Sequence, residues 1–186
     1  MKRVLALAAA LVVLCGCSGM DAGIGRAMKL RERLLAAESC GFQAEITADY
    51  ADAVYTFSMD CRVDPDGTVY FTVTEPVTIS GITGTLSAEG GKLTFDDTSL
   101  GFDLLAEEQL SPVSAPWVFM RTLRGGYLSS TVQEGELLRL SIDDSYEEDA
   151  LRLDIWLDGG DCPVRADIMY DGRRILSLKV DNFTFV

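Results

Sequence analysis

The strongest constraint on this sequence is an alternation of apolar and polar residues that recurs along most of the chain. It starts after Gly41, where Phe42, Ala44, Ile46 and Ala48 are apolar and the residues between them are polar. A period of two places alternate side chains on opposite faces of a β-strand, so the pattern predicts strands buried on one side. Further strands are predicted near residues 55–59, 69–73, 78–88, 93–95, 100–102, 127–133, 137–143, 151–157, 164–170 and 175–185.

Short turn sequences separate several of these strands. Residues 64–67 read Asp-Pro-Asp-Gly, residues 158–161 read Asp-Gly-Gly-Asp, and Asp171-Gly172 forms a two-residue hairpin signal. Proline presets φ in such turns and glycine accepts the left-handed region, which favours antiparallel hairpins. The predicted sheet is therefore antiparallel.

Two segments have a helical period instead. The first covers about residues 22–37, with Asp21 as a candidate N-cap, and the second covers residues 116–124, with Ser114 or Ala115 before it and Gly125 after it. About eight strands already close a barrel that side chains fill. We therefore predict a mainly β (α+β) fold, a strongly curved, unclosed antiparallel β-barrel of about eleven strands. It has an N-terminal helix and a second helix that serves as a lid and gate.

The N-terminal residues have the features of an export signal. Lys2 and Arg3 precede an apolar run over residues 4–15, and twelve helical residues span only about 18 Å of a hydrocarbon core of about 30 Å. The run ends in Leu14-Cys15-Gly16-Cys17, which resembles the lipobox of bacterial lipoproteins except for the cysteine at −2. The resemblance implies cleavage before Cys17 and lipidation of its thiol. The alternative is an ordinary secretory peptide that is cleaved elsewhere.

These features predict the domain organisation and the location. Residues 1–16 are a predicted signal peptide, residues 17–23 a lipidated tether and residues 24–186 a single domain. Two acyl chains anchor a protein stably, whereas one chain binds only marginally. We expect the protein on the extracytoplasmic face of the cell membrane, with palmitate among its acyl groups.

Composition excludes several functions. The formal net charge is −13, and phosphate backbones bind basic surfaces, so no nucleic-acid partner is expected. The chain has no histidine, which removes histidine-based triads and imidazole metal sites. Ser129 and Ser130 therefore lack a histidine base. We expect no enzyme activity, no catalytic residue, no metal site and no cofactor.

The densest acidic segment covers residues 143–149, Asp-Asp-Ser-Tyr-Glu-Glu-Asp. Such carboxylates can bind calcium or act as a pair in glycoside hydrolysis. The segment lacks the glycine of an EF-hand loop, and the preferred interpretation is a solvated hairpin loop.

Three cysteines lie beyond the predicted signal peptide and tether. Cys40 and Cys61 flank a predicted hairpin at nearly matching distances from its turn, which makes them a candidate disulfide pair in an exported protein. Cys162 would then be unpaired. Three reduced thiols are the equal alternative.

The order of elements resembles the LolA-like superfamily of lipoprotein carriers, which includes LolB-type and LppX-type lipoproteins. The resemblance covers residues 24–185: a helix, six strands, a helix segment starting at residues 111–117, and five strands. Residues 79–84, 91–95 and 144–146 resemble segments of clostridial-type Gram-positive lipoproteins.

This resemblance implies a curved sheet with an apolar concave face under helices, and binding without catalysis. The predicted function is a membrane-anchored lipoprotein that binds a hydrophobic ligand, either a lipid acyl chain or a lipidated partner. The alternative is a scaffold or regulator of a cell-envelope enzyme with no lipid cargo. The chain departs from soluble carriers because it has its own predicted lipid anchor.

Alternate strand positions supply the candidate cavity lining. An apolar strand residue most often fills the core, so we expect about half of the candidates to be core alone. We also predict a tunnel or cleft between the helices and the sheet. The candidates are Phe57, Phe71, Ile79, Leu93, Leu140, Ile155 and Ile168 from the strands, with Trp117 and Phe119 from the second helix.

Overall fold

The alternating segments form one antiparallel sheet of eleven strands. The computed structural model describes residues 18–50, 53–106, 109–147 and 150–186. In chain order, its elements are α1 (Ser18–Ala36), β1 (Cys40–Asp49), β2 (Val54–Val63), β3 (Val69–Glu75), β4 (Thr83–Ser87), β5 (Gly90–Phe95), β6 (Thr98–Phe102), β7 (Leu105–Ala106), β8 (Gln109–Leu110), a 3₁₀ turn (Pro112–Ser114), α2 (Ala115–Gly125), β9 (Tyr127–Glu134), β10 (Leu137–Asp143), β11 (Arg152–Leu157), β12 (Pro163–Tyr170) and β13 (Arg173–Phe185).

The sheet is open because its two edge strands do not pair with each other. Its strand order is β6-β5-β4-β3-β2-β1-β13-β12-β11-β10-β9, and β7 pairs with β8 in a separate two-stranded sheet. Every paired neighbour is antiparallel, as the hairpin turns predicted. The predicted fold class, an unclosed curved sheet of eleven strands with two helices, is confirmed.

One face of the sheet, called here the inner face, carries the core. Ala44 lies opposite Met59 on β2 and opposite Val180 on β13, and all three side chains are buried. The side chains between them form a polar outer face, where Gln43 donates to Asp60. The period of two therefore separates core from solvent in these central strands.

Arginines attach α1 to the rest of the molecule. The Arg31 guanidinium donates to the carbonyl oxygens of Leu123 at 3.1 Å and Gly126 at 2.8 Å, and burial lowers the pKa of Arg31. Arg26 forms an ion pair with Asp161 at 2.5 Å on the turn between β11 and β12. Helix α1 is thus fixed to the end of α2 and to one end of the sheet.

The first turn of α1 differs from the prediction. Residues 18–23 of the predicted tether are already helical, so the N-cap predicted at Asp21 is wrong. Gly23 lies so close to β9 that a Cβ there would clash with Thr131 Oγ1. Tertiary packing of a small residue, rather than a local cap, explains where this helix lies. Cys17 is outside the described residues.

The fourth strand is shorter than predicted. Residues 76–82 connect β3 to β4 through turns, whereas the alternation predicted a strand from residue 78. Ile79 N–H donates to Pro76 O and Gly81 N–H donates to Val73 O, so these backbone groups are used locally. Gly81 has a φ of +89°, which other residues rarely adopt. This local turn excludes the ladder pairing that the pattern predicted.

The core is centred on Phe119 of α2. Its side chain is fully buried and meets Phe42 of β1 edge to face, with ring centroids 5.7 Å apart. Phe42 also stacks on Phe183 of β13 at 5.6 Å. Helix α2 is therefore packed onto the inner face by aromatic contacts. Within the described part of the chain, neither helix has both the length and the apolarity needed to cross a bilayer.

Replacing this central ring tests the packing. Phe119→Ala is expected to lower the free energy of unfolding by about 3–5 kcal/mol, because the lost ring leaves a cavity between α2 and β1. Val77→Ala, at a side chain that is 90% exposed, is the control and should change it by less than about 0.5 kcal/mol. Chemical denaturation measures both. Equal effects of the two variants would contradict the assignment of Phe119 to the core.

Candidate ligand-binding site

The inner face is not covered along its whole width. A Cβ on Gly84 would lie 2.5 Å from the Phe71 ring, which places Gly84 on the inner face. Leu93 pairs with Gly84 and with Leu100, so both leucines lie on this same face. Phe95, two residues after Leu93, shares the face. Phe95 is nevertheless 52% exposed and Leu100 is 65% exposed.

These side chains form a continuous apolar row, called here the β5–β6 strip: Leu93, Phe95, Leu100 and Phe102. The Phe102 ring lies over Gly91, where a Cβ would clash with it. Leu93 and Leu100 come next along the two strands, followed by Phe95. At roughly 3.4 Å per residue the strip is about 14 Å long. It runs beside the β6 edge of the sheet and ends at the turn between β5 and β6.

Two clefts lie on either side of Trp117 in α2. The first has a volume of about 390 Å³, and its wall includes Leu35 of α1, Thr68 of the β2–β3 turn and Ala88 of the β4–β5 turn. The second has a volume of about 310 Å³, and its wall includes Leu151, which precedes β11. Both clefts are larger than a single water site, as the sequence predicted.

The second cleft lies near the Phe102 end of the β5–β6 strip, although none of the four strip side chains lines it. Gly90 and Asp103 line it, and these residues are next to Gly91 and Phe102, the first pair of the strip. Its remaining wall is mainly apolar and includes Leu104, Leu110 and Val118. The two clefts share Trp117 and Arg121, and we treat them together with the nearby strip as the candidate site.

The charges of the two clefts differ. The first contains Arg121 and Arg124 together with one carboxylate, Asp66. Hydrogen bonds from Thr68 N–H, at 2.9 Å, and from its hydroxyl lower the pKa of Asp66. The second cleft contains Arg121 and three carboxylates, those of Glu89, Asp103 and Asp144. The first cleft is net positive and the second is net negative.

The two arginines of the first cleft have different roles. Arg124 donates to the carbonyl oxygens of Asp64, at 3.2 Å, and Pro65, and so attaches α2 to the β2–β3 turn. Arg121 is exposed, and its guanidinium lies 5.2 Å from the centroid of the Trp117 ring. Among the described residues, no carboxylate forms an ion pair with Arg121.

The structure separates the candidate residues into two groups. Trp117 borders both clefts, Leu93 is partly buried in the strip, and Ile79 is 38% exposed in the β3–β4 connection. The other six are buried in the core: Phe57, Phe71, Phe119, Leu140, Ile155 and Ile168. Contact of any of the nine candidates with a ligand stays a prediction.

Sequence reasoning missed Phe95, Leu100 and Arg121. The two apolar residues stood in predicted strands with no feature that distinguishes an exposed inner position from a buried one. Arg121 stands in the second half of the predicted helix, where a cation suits the helix C-terminus and so indicates no ligand. Its position four residues after Trp117, on the same helix face, was the available signal.

In the described part of the acidic segment 143–149, Asp143 and Asp144 contact residues at the start of β11. Asp143 pairs with Arg152 at 2.8 Å across β10 and β11, and Asp144 accepts from Leu151 N–H at 2.8 Å. In the described ranges, no group of three or more acidic or cysteine side chains is arranged to hold a metal ion.

Comparison with known proteins shows similarity in structure but not in sequence. No family model matches the chain, and no curated protein matches it. A LolA superfamily protein from Nitrosomonas europaea aligns with a TM-score of 0.47 and 10% identity, over 86% of this chain and 93% of that chain.

Two further solved structures are similar at the same level. An uncharacterized conserved protein from Thermus thermophilus aligns with a TM-score of 0.48 and 11% identity, over 86% of this chain and 87% of that chain. The Mycobacterium tuberculosis lipoprotein LppX aligns with a TM-score of 0.41 and 14% identity, over 87% and 93%. Similarities this distant carry no information on what this chain binds.

The candidate disulfide is not formed in the structure, where Cys40 and Cys61 are free thiols. Cys40 lies opposite Val63, and Cys61 lies opposite Phe42, so the two cysteines are diagonal neighbours on the inner face. Diagonal positions are roughly 7–8 Å apart, beyond the usual Cα separation of about 4.4–6.8 Å in a disulfide. The hairpin register therefore explains why they are unpaired.

All three thiols are poor nucleophiles in the folded protein. Burial raises the pKa of Cys61, and the nearby Asp60 raises it further. Burial also raises the pKa of Cys40, against the opposing charge of Arg124, and the pKa of Cys162. Thiolate is the reactive form, and burial disfavours it.

Alkylation tests these assignments. At pH 8 the native protein should react slowly with iodoacetamide, with Cys61 the slowest and the partly exposed Cys162 the fastest. All three should react quickly after unfolding, without any reductant. Mass spectrometry of the three cysteine peptides measures this. A Cys40–Cys61 peptide pair that reacts only after reduction would contradict the free thiols.

Proposed function

We propose that this chain is a non-catalytic binding protein with a LolA-like fold that holds a hydrophobic ligand, most simply a lipid acyl chain, on the β5–β6 strip. One observation carries the proposal: Phe95 and Leu100 lie on the core-bearing face of the sheet yet remain about half and two thirds exposed. Uncovered apolar surface of this kind costs free energy in water, and a ligand that covers it removes this cost.

The size of the site is sufficient for useful affinity. Each buried methylene contributes about 0.8 kcal/mol, so a chain of about a dozen carbons gives roughly 10 kcal/mol before the costs of association. The strip offers about 14 Å of apolar surface, and the second cleft adds a further apolar wall. A single acyl chain fits these dimensions better than a large folded partner.

The ligand binds at the open edge rather than in the centre of the barrel. Leu140 of β10, Ile155 of β11 and Ile168 of β12 are each at most 1% exposed, so they are packed in the core on the inner face of the sheet. Phe119 fills the space beneath α2. A site at the rim is accessible without displacing these residues, and α2 serves as its border and lid.

A second candidate function is protein binding as a scaffold or regulator in the cell envelope. The observation that favours it is the edge position of β6, which in the described part of the chain pairs with β5 and with no second strand. Unpaired N–H and C=O groups on an edge strand can pair with an extended segment of a partner. The exposed strip beside that edge would then contact the partner's side chains.

The membrane location is proposed on the sequence of the N-terminus. Cleavage before Cys17 removes Lys2 and Arg3, which changes the formal net charge from −13 to −15. An anionic leaflet repels such a chain, so an acyl anchor has to provide the attachment. Because α1 begins at Ser18, an anchor on Cys17 would place the start of this helix next to the membrane on the extracytoplasmic face.

Binding of an acyl probe tests the function. A fluorescent fatty acid is expected to bind the protein, and the double variant Phe95→Ser, Leu100→Ser should bind it at least tenfold more weakly, because two apolar contacts are lost. Val77→Ser removes an exposed apolar side chain outside the strip and is the matched control. Circular dichroism checks the fold of each variant.

The same preparation separates the two candidate functions. Organic extraction followed by mass spectrometry should find co-purified lipid. Protein that carries no lipid and takes up no fatty acid, but captures a stoichiometric envelope protein through β6, would refute the lipid-binding proposal and support the scaffold.

Lipidation is tested at the two neighbouring cysteines. Cys17→Ala is expected to abolish labelling by a radioactive fatty acid and to release the protein from the membrane fraction, because the acylated thiol is lost. Cys15→Ala leaves that thiol in place and should keep both properties. Equal labelling of the two variants would contradict Cys17 as the anchor.

A further inference from the structure

We infer that the ligand is an anionic amphiphile whose carboxylate or phosphate group binds Arg121 in the first cleft, while its acyl chain extends past Trp117 to the β5–β6 strip. This inference rests on the proposed function and adds the chemical class of the ligand and its direction of binding. It is carried by the geometry and charges of the two clefts.

Arg121 is the cation available to such a ligand. The other arginine of the cleft, Arg124, already donates to Asp64 O and Pro65 O. Arg121 contacts the Trp117 ring, and no carboxylate of the described residues pairs with it. A guanidinium beside an indole can donate to a carboxylate or phosphate while the ring packs against the first methylenes of the chain.

The end of α2 does not oppose an anion here. Carbonyl groups at a helix C-terminus carry partial negative charge and would repel it. Two of these carbonyl oxygens, on Leu123 and Gly126, accept hydrogen bonds from Arg31. The carboxylate of Asp66 is likewise turned to Thr68, whose N–H and hydroxyl donate to it. The positive groups therefore dominate the first cleft.

The second cleft gives the ligand its direction. Glu89, Asp103 and Asp144 border it and repel an anionic headgroup, whereas its apolar wall accepts an acyl chain. Trp117 and Arg121 line both clefts, so a chain that starts at Arg121 can pass directly from the first to the second. Asp103, which lines the second cleft, directly follows Phe102, so the strip is the next apolar surface along this path. The reverse orientation would place the headgroup among three carboxylates.

Three probes with the same tail test the headgroup. Titration calorimetry of the protein with dodecanoate, dodecyl phosphate and dodecanol should show that the two anions bind about tenfold more tightly than the alcohol, since a hydrogen bond to a charged group is lost in dodecanol. Inorganic phosphate alone should bind at least a hundredfold more weakly than dodecyl phosphate, because it lacks the tail.

Variants locate the interaction. Arg121→Gln should weaken both anions about tenfold and dodecanol less than twofold, and Arg121→Lys should lie between because it keeps the charge without the guanidinium fork. Lys92→Gln removes a cation on the outer face of β5 and is the matched control. Thermal unfolding verifies that each variant is folded, as expected for substitutions at exposed side chains.

The outcomes distinguish failure of this inference from failure of the proposed acyl-chain binding on which it rests. If dodecanol binds as tightly as the anions, if Arg121→Gln weakens all three probes equally, or if inorganic phosphate alone matches dodecyl phosphate, the anionic-amphiphile assignment is refuted. If none of the acyl probes binds, the proposed function itself is refuted. Tight anion binding that depends on Arg121 supports both.

Discussion

The open edge of the sheet is the constraint on which the rest of the structure depends. Eleven strands are more than a filled barrel needs, and among the described residues β6 and β9 each pair with a neighbour on one side alone. An open, curved sheet has an apolar inner face that needs a cover, and α1 and α2 supply only 19 and 11 residues for it. Helix α1 packs against β9 and α2 packs against β1, β10 and β12, which leaves the β5–β6 strip exposed. The candidate site exists because the cover is incomplete.

The arginines decide where that cover lies. On a chain with 29 acidic and 16 basic side chains, ion pairs are easily made, yet Arg31 and Arg124 donate to backbone carbonyl groups. These contacts connect α1 to α2 and α2 to the β2–β3 turn, so the helices form one unit with the sheet. Arg121 lies on the same helix as Arg124 but is directed to the clefts. The same residue type thus serves structure at one position and is available to a ligand at another.

Much of the fold could be predicted because its signals are local. The alternation in β1 and the Asp-Gly turn before β13 each involve a few adjacent residues, and the structure confirms the strands they predicted. The errors have a different origin. The strand predicted from residue 78 is replaced by a turn at Gly81, and α1 includes residues 18–21 and lies where Gly23 packs against Thr131 of β9. Both depend on contacts between residues that are distant in the sequence or on a backbone conformation that a residue pattern does not record.

The candidate site shows the same division. The sequence by itself determined the strand pattern, the two helices, the acidic charge and the apolar character of Leu93 and Trp117, because these properties belong to short segments or to composition. Only the tertiary structure decided that Leu140, Ile155 and Ile168 are core, that Phe95 and Leu100 are uncovered, and that Arg121 faces a cleft. The exposed fraction of an inner-face side chain depends on which residues pack over it. In an unclosed sheet, the attachment points of the helices determine this packing, and the strand's own period does not.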